Sequence, residues 1–167
     1  MKKLFALVMI FSFITSFLLA NSLELGSPVP RLKVLTDQGT ALDLGEALSV
    51  GTTLVFFYPK AMTPGCVKQA CSLRDGWDEL QSRNVSIFGV SSDTAKTQAQ
   101  FRDKYTLPFT LLADTDGQIA DAFSKSRWSR QAYIFKDGIL VWRDLKAATS
   151  KQATEILVAL DELVPNS

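Results

Sequence analysis

The chain reads as an α/β domain, a central mixed β-sheet flanked by helices with a β-hairpin at its N-terminal end. Three observations predict this. A nearly unbroken β-rich run at 52–58 is followed at once by an amphipathic helical stripe, two strand pairs sit on either side of this unit, and the last 15 or so residues return to helical spacing. Composition agrees, since 47% hydrophobic and 21% charged residues are ordinary for a chain with a packed core.

The first segment lies outside that domain. Lys2 and Lys3 precede an apolar run from Leu4 to Ala20 broken only by Ser12, Thr15 and Ser16, and Ala20-Asn21-Ser22 ends it with small residues. That is the form of a secretory leader over residues 1–22, with cleavage after Ser22 or Ala20. The competing reading is an uncleaved anchor, because Leu4–Ala20 is only slightly short of a membrane span. No cysteine lies near the junction to carry a lipid. The expectation is an exported protein of the bacterial periplasm, with no stable membrane association once the leader is removed. Residues 23–167 then form one domain.

Residues 31–35 and 40–44 alternate apolar and polar positions around Thr36-Asp-Gln-Gly39 and predict the N-terminal hairpin. The run at 52–58 suits a central strand covered on both faces. A helix is expected from Pro64 to Leu80, where Cys66, Ala70, Leu73, Trp77 and Leu80 recur at helical spacing. A strand at 86–91 and a helix at 94–105, with Asp93 as its cap and Phe101 and Tyr105 on one face, imply a right-handed parallel crossover. A short strand at 109–113 follows. Residues 131–135 and 139–143 flank Asp137-Gly138 and predict a second hairpin. Ala153, Ile156, Leu157, Leu160 and Leu163 define the buried face of a last helix, which Pro165 ends.

Composition removes whole classes of chemistry. The chain has no histidine, so Ser-His-Asp triads, Cys-His pairs and imidazole metal sites are absent, and two cysteines cannot make a four-thiolate site. Net charge is +1, and loss of Lys2 and Lys3 turns it to −1, which leaves no electrostatic footprint for nucleic acid.

The chemistry concentrates between the central strand and the helix after it, where open α/β sheets place ligands. Pro64 fits the first helical position and holds Thr63 extended as an N-cap, which puts Cys66 at N3, close to unpaired backbone N–H groups that favour a thiolate. A thiol of ordinary pKa is only about 3% ionised at pH 7, and making it about 90% thiolate takes roughly 3.4 kcal/mol. A helix end supplies about 1–2 kcal/mol, so a cation should assist. Lys60 is near in sequence, while Arg130 or Arg127 leads the strand at 131–135 and would reach the site from a neighbouring strand.

Cys71 lies five positions after Cys66, about 140° around a helix and roughly 7.5 Å along it. Two sulfurs so placed cannot join while the helix is intact, so any reaction between them requires the first turns to unwind. A static structural disulfide is the competing reading, and it would disrupt the helix for little gain.

The segment F-F-Y-P-K-A-M-T-P-G-C-V-K-Q-A-C-S-L-R-D over 56–75 closely resembles the active-site segment of peroxiredoxins, in particular the bacterioferritin comigratory protein (PrxQ) branch. The likeness continues at 25–30, 89–93, 101–109 and 111–114. It implies a thioredoxin-like fold and a thiol-dependent peroxidase acting on hydrogen peroxide and organic hydroperoxides, with neither cofactor nor metal. It implies Cys66 as peroxidatic cysteine, Cys71 as resolving cysteine through an intramolecular disulfide, and a thioredoxin-like reductant. Thr63 would hydrogen-bond the peroxide, Pro59 would shield the thiolate, and the family's arginine maps best onto Arg130. The protein is expected to be a monomer. Two other activities compete: dithiol–disulfide exchange on envelope proteins, which C-x-x-C spacing would suit better, and a non-enzymatic binding domain stapled by its cysteines.

Overall fold

The computed structural model describes residues 23–126 and 128–163, so the leader segment 1–22, Arg127 and Pro165 lie outside the described residues. The order is β1 (Lys33–Thr36), β2 (Ala41–Asp43), α1 (Leu44–Ala47), β3 (Thr52–Phe57), α2 (Pro64–Asp75), α3 (Trp77–Ser82), β4 (Val85–Ser91), α4 (Ala95–Tyr105), β5 (Thr110–Ala113), α5 (Gln118–Ala122), β6 (Gln131–Lys136), β7 (Ile139–Asp144) and α6 (Gln152–Leu163). These strands form one sheet in the order β2-β1-β5-β4-β3-β6-β7. Its centre, β5-β4-β3, is parallel, and the outer pairings are antiparallel. This is the expected mixed sheet flanked by helices, with the hairpin β1–β2 at one edge.

β3 shows why a run without polar breaks becomes a central strand. Leu54, Phe56 and Tyr58 point to one face and pack in a core with Ala70, Leu73, Phe101, Ile156 and Leu160 from the helices. Val55 and Phe57 point to the other and join Ile119, Phe123, Tyr133 and Phe135. With both faces covered, period-2 alternation has no polar side to display. The β6–β7 hairpin turns at Asp137 (φ 50°) and Gly138 (φ 79°), the pair of positive φ values that such a turn needs.

Several local expectations are corrected. The helix expected over 64–80 is two helices, broken at Gly76 (φ −91°, ψ 9°). The residue there has no side chain where α6 comes close: a Cβ on Gly76 would stand 2.7 Å from that of Ala153. The cap of α4 is Thr94, whose hydroxyl accepts from the Thr97 N–H at 3.2 Å, and not Asp93. Asp93 instead accepts from the Ala61 N–H and the Ser91 hydroxyl, each at 2.7 Å. The second strand of the first hairpin ends at Asp43, which caps the short α1 by accepting from the Glu46 N–H. Helices α1 and α5, of four and five residues, are too short to show a periodic signal.

Candidate active site

β3 ends at Phe57 and the chain turns through 58–63 into α2. The loop is fixed at both levels. The Tyr58 N–H donates to Val90 O at 3.1 Å, while its ring lies 5.6 Å from those of Phe56 and Phe101. The Tyr58 hydroxyl donates to Gln98 Oε1, and the Gln98 amide donates to Ser91 Oγ and Leu112 O. Burial pushes the Tyr58 phenol far above its ordinary range, so it serves as a neutral donor. Asp93, bonded to the same Ser91, holds the Ala61 amide. Between these anchors Met62 adopts φ 63°, a left-handed conformation that side chains normally avoid.

Thr63 is extended (φ −78°, ψ 148°) and Pro64 opens α2, as the sequence requires. The side-chain cap expected of Thr63 is not made. Its hydroxyl donates backwards to Lys60 O at 2.9 Å, and the first helical bond runs from the Val67 N–H to Thr63 O. The N–H groups of Gly65 and Cys66 precede that first bond, so they belong to the open end of the helix. Pro59 is half-buried at the head of the loop, and Lys60 is exposed.

Cys66 is 1% exposed and packs in the helix-side core. Arg130, half-buried at the entrance to β6, reaches it from the neighbouring strand: Nη2 lies 3.6 Å and Nη1 3.7 Å from Cys66 Sγ. The register Phe57↔Gln131 brings the end of β3 beside the start of β6 and so sets this approach. The Arg130 carbonyl accepts from the Ala147 N–H at 3.1 Å, which fixes the base of the side chain. Arg130 Nη1 also donates to Gln69 Oε1, and Gln69 Nε2 donates to Gln152 Oε1 at 2.8 Å. Both glutamines are fully buried.

Cys71 is free, half-buried and on the same unbroken helix as Cys66, itself free. Cys66 and Arg130 are therefore joined by direct contact and Thr63 by chain geometry, whereas Cys71 is separated along α2. Gln69 and Gln152 escaped the sequence reading. Gln69 carried a faint signal, a polar residue one turn after Cys66 on a helix face that is otherwise apolar. Gln152 carried none, because its role depends on where α6 docks.

A cationic fork beside a buried sulfur at a helix start, with no cluster of metal-ligating groups among the described residues, suits nucleophilic sulfur chemistry. The comparisons point the same way. Residues 25–143 match the AhpC/TSA family. The chain is 39% identical over 121 residues to peroxiredoxin Bcp of Escherichia coli, covering 71% of this chain and 76% of that protein. Its fold is similar to that of peroxidoxin BcpB from Mycobacterium tuberculosis, with a TM-score of 0.77 and 28% identity over 85% of this chain and 99% of the other. Peroxiredoxin Q of Xanthomonas campestris gives 0.74 and 26% over 80% and 92%. A thioredoxin-like sheet, a Pro-Thr-Cys segment at its centre and this agreement along most of the chain place the protein in the AhpC/TSA family, in the peroxiredoxin branch that includes Bcp and PrxQ.

Proposed function

We propose that the protein is a thiol-dependent peroxidase that reduces hydrogen peroxide and organic hydroperoxides with Cys66 as nucleophile. The observation that carries this reading is the Arg130 guanidinium 3.6 Å from Cys66 Sγ. A fixed cation there stabilises a negative sulfur and offers donors to the oxygens of a bound peroxide. The Cys66 thiolate attacks the outer peroxide oxygen, the O–O bond breaks, and the departing oxygen takes a proton to leave as water or an alcohol. Cys66 is then a sulfenic acid. The Thr63 hydroxyl and the first-turn N–H groups line the approach, and Pro59 limits water.

Cys71 resolves the sulfenic acid: its sulfur attacks that of Cys66, water departs, and an intramolecular disulfide forms. A dithiol of thioredoxin type takes up the disulfide by exchange and restores both thiols. Since the two cysteines are five residues apart on α2, the first turns of that helix must open for this step. Burial of Cys66 disfavours the competing activity of protein disulfide exchange, because a sulfur 1% exposed admits a small peroxide far more readily than a protein disulfide.

Stopped-flow oxidation of the reduced protein, followed by tryptophan fluorescence, tests the assignment. Fast second-order reaction is expected in wild type and Cys71→Ser and is lost in Cys66→Ser. Full activity in Cys66→Ser would remove Cys66 from the mechanism.

We infer in addition that residues 1–22 are removed on export to the bacterial periplasm. Lys2 and Lys3 before the apolar run support it. N-terminal sequencing from a periplasmic fraction should begin near residue 23, and an intact leader in the membrane fraction would instead identify an anchor.

A further inference from the structure

We propose that Gln152, the first residue of α6, is a positioning residue for Arg130, acting through Gln69. This rests on the reading of Cys66 and Arg130 given above.

A guanidinium has donors only, so the group that receives Arg130 Nη1 must be the oxygen of the Gln69 amide. That choice turns the Gln69 nitrogen away from Arg130, where it needs an acceptor, and Gln152 Oε1 stands there at 2.8 Å. If Gln69 rotated by half a turn, its NH2 would face the guanidinium, donor against donor, and push it off the sulfur. With Gln152 Oε1 facing it, that rotation would also lose the bond from Gln69 Nε2 and set oxygen against oxygen, so the Gln152 acceptor adds to the bias that Arg130 imposes.

The far end of the chain of bonds shows why the residue is a glutamine. Gln152 is fully buried, and its own Nε2 has no hydrogen-bond partner among the described residues. A buried donor without an acceptor is unfavourable, and an apolar side chain of the same length would fill the space without it. What the amide adds over methionine is one acceptor oxygen, aimed at Gln69. Because Gln152 begins α6, the docking of this helix on α2, which also includes the Ala153 N–H to Ser72 Oγ bond at 3.2 Å, sets the aim of an arginine on the sheet.

The test measures the second-order rate of Cys66 oxidation by hydrogen peroxide in the reduced protein, for Gln152→Met and Gln152→Glu, each alone and with Gln69→Glu. Gln152→Met should slow the reaction about tenfold, as loss of an orienting partner commonly does. Gln152→Glu keeps an acceptor oxygen in either protonation state and should recover the rate to within about threefold of wild type. With Gln69→Glu, either side-chain oxygen can face Arg130, so methionine at 152 should change the rate by less than about twofold. Simple destabilisation would slow both backgrounds alike, which overturns the proposal, as does a wild-type rate in Gln152→Met. A Cys66→Ser control separates the two levels: peroxide consumption that survives it sinks the reading of the site, whereas a normal Cys66-dependent rate untouched by Gln152→Met sinks only the positioning role.

Discussion

Gly65 and Arg130 share a single space. A Cβ on Gly65 would stand 3.2 Å from Arg130 Nη2, so the guanidinium lies against the first turn of α2 because the residue before Cys66 has no side chain. Gly65→Ala should leave the fold intact and even favour the helix slightly. It should nevertheless slow Cys66 oxidation by about threefold to tenfold by displacing the guanidinium, an effect of a misplaced catalytic group. Stopped-flow rates and thermal melting, measured together, check this, and an unchanged rate would show that Arg130 tolerates the shift.

Charge alone should not replace the arginine. Lysine at 130 offers one point of donation where the guanidinium presents two nitrogens to the sulfur and one of them also to Gln69. Arg130→Met is expected to lower the peroxide rate by about 100-fold, the usual scale for removing a fixed donor to developing charge. Arg130→Lys should fall between it and wild type. Equal rates for lysine and arginine would mean that only the charge matters.

Stability should depend on pH in a particular order. Burial pushes the Lys125 ammonium down to about 8 from its ordinary 10.5, while its Nζ lies 4.5 Å from the centre of the Phe57 ring. Between about pH 8 and 10 the unfolded chain therefore holds a proton that the folded one has released, and stability should rise with pH there. Above about pH 10 the sign reverses, because Tyr133, pushed up to about 12 by burial, and Tyr58, pushed up further, stay protonated only when folded. Urea unfolding across this range should show a maximum near pH 10, and Lys125→Met should flatten the rising limb.

Ala153 and Gly76 should behave as a matched pair. The added methyl of Gly76→Ala would lie 2.7 Å from the Ala153 Cβ and should cost about 1–3 kcal/mol, as overpacking does. Ala153→Gly should relieve it, so that the double variant is more stable than Gly76→Ala alone. Independent, additive losses in a double-mutant cycle would argue against direct contact.

Thr106 ends α4 in the left-handed region (φ 51°, ψ 48°), a poor conformation for a β-branched residue, and it is exposed. Thr106→Gly should stabilise the protein by about 1 kcal/mol, raising Tm by roughly 3 °C. Peroxidase activity should not change. A lower Tm would show that the threonine side chain has compensating contacts.

The parts of the fold that were legible in the sequence are those fixed by local chemistry. Asp137-Gly138 announced a hairpin because only certain residues accept its φ values, and Pro64 announced a helix start because proline fits there without loss. The same segment placed Cys66 at the open end of α2. What local pattern does not contain is the outcome of docking. Gly76 lies within a continuous apolar stripe, and the close approach of Ala153, which a side chain at 76 would obstruct, comes from 77 residues further along. Asp93 looked like a cap but is drawn to the Ala61 amide by the fold of the active-site loop. Of two candidate arginines, Arg130 is the one whose contact with Cys66 the described residues contain, and strand register, not spacing, brings it there.

The interruption at Gly76 has a mechanical result. Regular helical geometry stops at Gly76, and α3 beyond it is secured separately, with the Trp77 indole 6.1 Å from the Phe109 ring. In the proposed cycle the first turns of α2 would lose and regain their coil while Leu73, fully buried further along the helix, stays in the core, so that each turnover would be a local event.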